Sequence, residues 1–213
     1  MNSKERILAR LRHGRASSPA TPYDAGGSPA ETPVQLDIDS MIQALEAAHA
    51  TVFRLPAKDW PNHLAGLAKE REWTRWWIGR DEAGKTWQNR EPNSPATLFT
   101  DWDTQKHDLF DNAQVALSQA QGGITETGTL IVESHSNVPR TLSLVPPVHI
   151  VIVHESTLVA TLQQALDQYG PGKMPTNLIF ISGPSKTADI QQTLAYGAHG
   201  PKELVVYLCT AED

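Results

Sequence analysis

Buried strands are the clearest pattern in the second half of the chain. Apolar runs at 148–153, 177–181 and 204–209 are rich in β-branched residues, which is typical of strands covered on both faces. Apolar residues at helical spacing predict helices over 156–169 and 186–196, between these strands. This alternation predicts an α/β fold with a mostly parallel sheet and helices on both faces.

The first half and the centre of the chain are less regular. The pattern predicts a helix from Asp39 or Ser40 to Ala48, a strand over 51–55, a helix over 56–70, and strands over 76–78 and 96–102. Residues 81–95 are polar and turn-rich and predict a loop. Residues 115–120 alternate as a half-buried strand does, a break follows at Gly122 and Gly123, and an extended run resumes over 129–133.

The N-terminal residues predict a helix tethered to the main domain. Asn2 or Ser3 can cap a helix over 1–14, which carries Ile7, Leu8 and Leu11 on one stripe and ends at Gly14. Its basic residues are interpreted as the polar side of an amphipathic helix, with a nucleic-acid or membrane site as the alternative. Residues 15–34 are rich in Ser, Pro and Gly and predict a mobile linker, followed by one domain over 35–213.

Composition and charge limit the partners, the compartment and the cofactors that we expect. The formal net charge of −6 argues against a nucleic-acid partner. No apolar run approaches the roughly 20 residues of a membrane span, and no signal-peptide core is present, so we expect a cytoplasmic protein. The single cysteine, Cys209, excludes an internal disulfide and a Cys-ligated iron–sulfur cluster, and its apolar surroundings indicate an inert buried thiol. HxxxH, HExxH and GxGxxG are absent, so we expect neither a dedicated metal site nor a dinucleotide fingerprint.

Two glycine-containing loops form the candidate working surface. In parallel sheets ligands bind at the carboxyl ends of strands, which directs attention to the loops after Gln121 and after Ile181. The first, Gly122–Thr129, places Glu126 among hydroxyls and backbone amides, where a carboxylate can act as a general base or as a nucleophile toward an acyl group. The alternative, which composition favours, is a β-hairpin in which Glu126 accepts backbone hydrogen bonds and does no chemistry.

The second loop, Ser182–Asp189, leaves a predicted strand and enters a predicted helix. Ser185 is a suitable N-cap, and the free amides of a helix N-terminus favour a phosphate or carboxylate, with Lys186 and Thr187 as further donors. The spacing of a Walker loop is absent. An ordinary capped helix, with Asp189 in its first turn, fits the same residues.

Other residues complete the candidate set. Arg140 can clamp a carboxylate or pair with a surface acid, and His199 can shuttle a proton or fix its turn. The six tryptophans between Trp60 and Trp102 are interpreted as core residues, with an aromatic wall over a ligand as the alternative. Besides the candidate catalytic Glu126, the candidate ligand contacts are Gly123, Thr127, Gly128, Thr129, Arg140, Gly183, Ser185, Lys186, Thr187 and His199.

Four motifs follow one another in a specific order and spacing. They are GITETGTL from Gly123, PRTLSLVPPVHIVIV from Pro139, ISGPSKTADI from Ile181 and GAHGP from Gly197. Together they resemble the lactate-utilization protein C family, whose members carry the LUD domain, which would then span residues 35–213. The resemblance implies a fold similar to that of the sugar-phosphate isomerases and CoA transferases, in agreement with the predicted parallel sheet.

The resemblance also implies a role in oxidising L-lactate to pyruvate beside iron–sulfur partner proteins. The clusters would belong to the partners, with no cofactor in this chain. The leading hypothesis is therefore a component of an L-lactate oxidation system whose cleft binds a small anionic ligand. One alternative is an acyl- or formyl-group transferase or ligase using Glu126, whose loop is similar in context to the glutamate loop of CoA transferases. Another is a non-catalytic adaptor that recruits a partner through its N-terminal helix.

Overall fold

The computed structural model describes residues 3–17, 35–90, 96–169, 174–175, 177–188, 194–197 and 199–211. The chain divides into two units, residues 1–33 and 34–213, and each is described by itself.

The first unit contains one helix, α1 (Ser3–Ser17), among its described residues. The predicted end at Gly14 is wrong, because the helix continues to Ser17; an internal glycine costs a helix only about 1 kcal/mol relative to alanine. Ile7 and Leu8 of the predicted apolar stripe are exposed. The side chain of Leu11 and the predicted linker residues 18–34 lie outside the described residues.

The second unit contains five helices and twelve strands among its described residues. The helices are α2 (Ile38–Ala47), α3 (Trp60–Glu70), α4 (Glu82–Arg90), α5 (Trp102–Asn112) and α6 (Leu162–Asp167). The strands are β1 (Thr51–Pro56), β2 (Trp76–Ile78), β3 (Thr97–Leu98), β4 (Val115–Gln119), β5 (Gly122–Ile124), β6 (Thr129–Ser134), β7 (Val148–His154), β8 (Leu158–Val159), β9 (Asn177–Ile181), β10 (Lys186–Ala188), β11 (Leu194–Tyr196) and β12 (Glu203–Thr210). Two 3-10 turns cover Arg140–Ser143 and Glu155–Thr157.

The main sheet contains six strands in the order β1-β12-β7-β4-β2-β3, and every adjacent pair is parallel. The predicted parallel sheet is thereby confirmed. β7 and β12 are buried over most of their lengths, as their continuous apolar runs predict. β4 is buried on both faces as well, so its prediction as a half-buried strand is wrong: Ser118 points into the interior and bonds with a buried histidine there.

Helices cover both faces of this sheet, as predicted. On one face, Trp60 and Leu64 of α3 and Trp87 of α4 pack against β2, β4, β7 and β12. On the other face, α2 and α5 contribute further buried side chains to two separate clusters. The core interpretation of the tryptophans is confirmed for Trp60, Trp76, Trp77 and Trp87, which are all buried, whereas Trp102 is exposed.

A second sheet lies over part of the main one. Its order is β8-β5-β6-β9, with β6 antiparallel to both of its neighbours and β5 parallel to β8. It packs through the apolar side chains of β6 and β9 onto the same cluster that contains α2, β7 and β12. The strand over 177–181 therefore exists as predicted but belongs to this sheet. Its prediction as a strand covered on both faces is wrong, because none of its residues is buried and Phe180 is exposed. The predicted break at Gly122 and Gly123 is part of β5.

Several predicted elements differ from those observed. Residues 81–95 contain helix α4, whose first turn is capped by Asp81 through the Gly84 amide at 2.8 Å. The strand predicted over 96–102 is reduced to β3, and α5 follows it, capped by Asp101. The helix predicted over 156–169 is divided into a 3-10 turn, β8 and α6, because residues 158–159 pair with β5.

The helix predicted over 186–196 is also wrong. β10 and β11 form an antiparallel pair instead, and residues 189–193 lie outside the described residues. Backbone hydrogen bonds hold both ends of this segment. The Ser185 amide donates to the Pro201 carbonyl at 2.8 Å, and the Gly197 amide donates to the Ser185 carbonyl at 3.0 Å. Tertiary pairing thus overrides a local helical periodicity.

Candidate functional site

The first candidate loop is the tip of the β5–β6 hairpin. Ile124 pairs with Thr129, and Gly128 turns the chain with a φ of +59°, a conformation that glycine adopts readily. The Glu126 amide donates to the Ala160 carbonyl at 3.1 Å, while the Glu126 side chain is exposed and has no hydrogen bond to any described residue. The hairpin geometry of the alternative interpretation is therefore the observed one.

A short chain of hydroxyl groups joins the two candidate loops. Thr127 Oγ1 lies 2.7 Å from Thr129 Oγ1, which in turn lies 2.8 Å from Ser182 Oγ. Thr129 is buried, whereas Thr127 and Ser182 are exposed. The hairpin and the loop after β9 thus meet at this chain of hydroxyl groups.

Both loops also lie against α2. At its beginning, the Asp37 amide donates to Thr125 Oγ1 at 3.3 Å. Further along the helix, a Cβ on Gly128 would lie 2.6 Å from the Ala44 Cβ, and a Cβ on Gly183 would lie 2.8 Å from the Ala48 Cβ at its end. Thr125 is thus at the beginning of α2 and Gly183 at its end, with Gly128 between them.

The second candidate loop does not enter a helix. Ser185 continues into β10, so the predicted N-cap and the anion site built on helix amides are wrong. The Ser185 side chain lies beside Gly200 instead, where a Cβ would be 3.1 Å from the Ser185 Cβ. Lys186 is exposed, whereas Asp189 and the side chain of Thr187 lie outside the described residues.

A cavity of about 160 Å³ opens beside this loop. Its lining residues are Ser143, Leu144, His149, Ile179, Phe180, Ile181, Ser182, Gly183, Pro184, Ser185, His199, Gly200, Pro201 and Leu204. The cavity therefore brings Gly183, Ser185 and His199 together. It lies at the amino ends of β7 and β12, because His149 and Leu204 are paired there. The loop follows the carboxyl end of a strand as predicted, but that strand, β9, belongs to the second sheet, so the cavity is not at the carboxyl ends of the main-sheet strands.

His149 is the polar residue that sequence reasoning missed. It is 1% exposed, and its Nε2 lies 2.7 Å from the Ser118 hydroxyl. Burial lowers the pKa of His149 to about 3, so the imidazole is neutral at neutral pH. The signal was present in the sequence: one histidine interrupts the apolar run 148–153, and one serine stands in the facing strand.

Arg140 lies in a different concavity. It is exposed, makes no ion pair with a described residue, and lines an open groove of about 590 Å³ together with Glu133, His135 and Asn177. The groove and the cavity have no lining residue in common. Arg140 thus lines a different concavity from Ser185.

The described residues contain neither a metal-binding cluster nor a membrane-spanning helix. No three His, Cys, Asp or Glu side chains in that part of the chain lie close enough to hold a metal ion. No helix within the same ranges is long and apolar enough to cross a membrane.

The sequence model of the LUD domain matches residues 38–209, which is most of the second unit. An uncharacterized protein of Neisseria meningitidis serogroup B is 48% identical over 114 residues, 53% of this chain and 49% of that protein. Lactate utilization protein C of Shouchella clausii is 39% identical over 93 residues, 42% of this chain and 41% of its own length. The protein of that name from Bacillus subtilis is 31% identical over 117 residues, 51% of this chain and 49% of its own length. The chain thus spans about half the length, or less, of the curated relatives it matches.

A solved structure has the same fold. The crystal structure of a DUF162 family protein from Deinococcus radiodurans superposes with a TM-score of 0.57 at 20% identity. The superposition covers 80% of this chain and 94% of that one.

Proposed function

This chain belongs to the LUD-domain family, and from that premise we propose that it is a component of a system that oxidises L-lactate to pyruvate. The observation that carries the proposal is the LUD-domain match over 38–209, together with similarity to relatives that are named lactate utilization protein C. In this proposal the chain binds a small anionic ligand and works with partner proteins.

The cavity beside Ser182–Ser185 is the best candidate for the ligand site. Of the residues proposed from sequence, it collects Gly183, Ser185 and His199 around a mostly apolar interior that also contains Ser143 and His149. Its volume is below the roughly 300–1,000 Å³ of pockets for drug-sized molecules, which favours a ligand of a few carbon atoms.

Electron transfer in this proposal belongs to the partners. The chain has one cysteine, Cys209, which is 1% exposed in β12, so it cannot supply the thiolate set of an iron–sulfur cluster. Iron–sulfur proteins are therefore proposed as partners, and the chain contributes ligand binding or docking. Glu126, exposed at the hairpin tip, is proposed as a further contact with the ligand or with a docked partner.

The test is lactate-dependent dye reduction by iron–sulfur partner proteins, with and without the full chain. Glu126→Gln removes one exposed charge from the hairpin, and Glu46→Gln removes one exposed charge from neighbouring α2 as the matched control. We expect activity to require the chain, to fall severalfold with Glu126→Gln and to stay unchanged with Glu46→Gln. Equal activity with and without the chain would refute the proposal.

A further inference from the structure

Two buried polar atoms at the cavity have no partner. His149 Nδ1 and Ser143 Oγ make no hydrogen bond with any described residue, although both side chains are at most 3% exposed. Both residues line the cavity beside Ser182–Ser185. An unpaired buried polar atom is costly, and native proteins tend to satisfy such atoms with water or a ligand. The two atoms therefore mark a place where a ligand can form hydrogen bonds.

The electrostatics of this place favour an uncharged oxygen. His149 is neutral at neutral pH, and its Nε2 is already engaged by Ser118. Ser143 contributes a hydroxyl, which can donate or accept. The described lining residues include neither lysine nor arginine, so a carboxylate buried beside His149 would lack a counter-charge. A carboxylate instead fits the rim, where Ser182 and His199 are exposed.

Most of the remaining lining is apolar. Ile181 and Leu204 contribute aliphatic side chains from β9 and β12. A volume of about 160 Å³ corresponds to about five water molecules at some 30 Å³ each. The cavity thus suits a molecule with a short carbon chain, one uncharged oxygen and a charge that stays near solvent.

We propose that this cavity is a binding site for a short carboxylic acid that bears a hydroxyl or keto oxygen, which bonds to His149 Nδ1 and Ser143 Oγ. The choice of ligand rests on the proposed function, and the site itself rests on the unpaired atoms. His149 and Ser143 are ligand-binding residues in this proposal, and Ser118 is a positioning residue that orients the imidazole through Nε2. Arg140 takes no part, because it lies in the separate groove.

The test compares three acids that differ at one carbon. L-lactate carries a hydroxyl there, pyruvate carries a keto oxygen, and propionate carries neither. Calorimetric titration of the full chain should show at least one of the first two binding about tenfold more tightly than propionate. Propionate has no oxygen at that carbon, so the buried polar atoms stay unpaired when it binds. Ser143→Ala should weaken that binding by about fivefold to tenfold. Ser134→Ala is the matched control, since it removes another unpartnered buried hydroxyl that lies outside the cavity.

A measurement on the unmodified protein guards against misfolded variants. In ¹⁵N-labelled protein, saturation with the preferred acid should shift the Nδ1 resonance of His149, while the resonance of exposed His107 stays in place. The proposal is overturned if none of the acids binds at millimolar concentration, if propionate binds equally well, or if the Nδ1 resonance does not move. Lactate-dependent dye reduction that still needs the chain would then leave the proposed function standing without this site. Conversely, if the chain binds one of the acids but the partners reduce the dye without it, the site stands and the proposed function does not.

Discussion

The Ser118 hydroxyl lies 2.7 Å from Nε2 of His149, between two adjacent and fully buried strands of the main sheet. The bond fixes the imidazole ring and leaves Nδ1 as its unpaired edge. The imidazole stays neutral in the folded protein, whereas in the unfolded chain it titrates with its ordinary pKa. The free energy of unfolding therefore depends on pH through His149.

Acid should destabilise the protein through His149. The folded-state pKa of about 3 is below the ordinary histidine value of 6.5, so the unfolded state binds the proton more readily. The contribution is fully present above pH 6.5 and is lost as pH falls from 6.5 toward 3, by up to about 1.4 kcal/mol per pH unit. Denaturant titrations at pH 7, 6 and 5 measure it.

The matched variants for this pH dependence are His149→Gln and His107→Gln. The first removes the buried imidazole and should flatten the difference between pH 7 and pH 5. The second removes an exposed imidazole and should leave that difference as it is. His199, exposed at the rim of the cavity, is the other titratable group facing this region among the described lining residues. If the His149→Gln variant keeps the pH dependence of the unmodified protein, that dependence does not come from His149.

Cys209 should be inert in the folded protein. It is 1% exposed, and burial raises the pKa of its thiol to about 11, so about one thousandth is thiolate at pH 8. Ellman's reagent should find no reactive thiol in the native chain and one equivalent after unfolding. A Thr127→Cys variant, with a thiol on the exposed hairpin tip, should react with one equivalent while folded. Rapid labelling of the unmodified native chain would contradict the burial of Cys209 in β12.

Gly128→Ala should destabilise the hairpin. The residue has a φ of +59°, and an added Cβ would lie 2.6 Å from the Ala44 Cβ on α2. Strain and overlap together should lower the free energy of unfolding by about 2 kcal/mol or more. Gly66→Ala is the control, because Gly66 lies within α3 with nothing within 4 Å of the added Cβ. That change should stabilise by about 0.5–1 kcal/mol, and similar effects of the two changes would be inconsistent with the packing of the hairpin on α2.

Thr129→Val should loosen the contact between the two candidate loops. The change keeps the shape of the side chain but removes the hydroxyl that bridges Thr127 and Ser182. Because Thr129 is buried, the loss should cost about 1–2 kcal/mol in thermal or denaturant unfolding. Thr127→Val, at the exposed end of the same chain of hydroxyls, should cost clearly less. Equal costs would indicate that the buried bridge has no special weight.

The parts of the fold that were predictable are those with a single dominant signal. Continuous apolar runs identified β7, β9 and β12 as strands. For β7 and β12 they also identified strands covered on both faces, which have no alternation of polar and apolar residues. The hairpin around Glu126 was weighed as an alternative from its glycines and hydroxyls. Helix α4 was missed because its sequence is polar and its capping residue, Asp81, resembles the start of a turn.

The parts that could not be predicted depend on contacts between distant residues. The segment after Ser185 has helical periodicity, yet hydrogen bonds to Pro201 and Gly197 hold it extended. Likewise, β9 carries the pattern of a central strand but pairs with β6 of the second sheet. The candidate cavity could not be predicted for the same reason, since His149 lies in β7, Ser185 lies in the loop after β9, and the two meet only in three dimensions.

The position of β12 has a consequence for the order of folding. It is the last strand of the described residues along the chain, yet it lies between β1 and β7. During synthesis β7 therefore waits with one unpaired edge, and β1 waits without its strand partner, until residues 203–210 leave the ribosome. Closure then joins segments far apart in sequence, which slows folding through loop entropy. A nascent or truncated chain that stops before residue 203 would expose two open edges and be prone to aggregation.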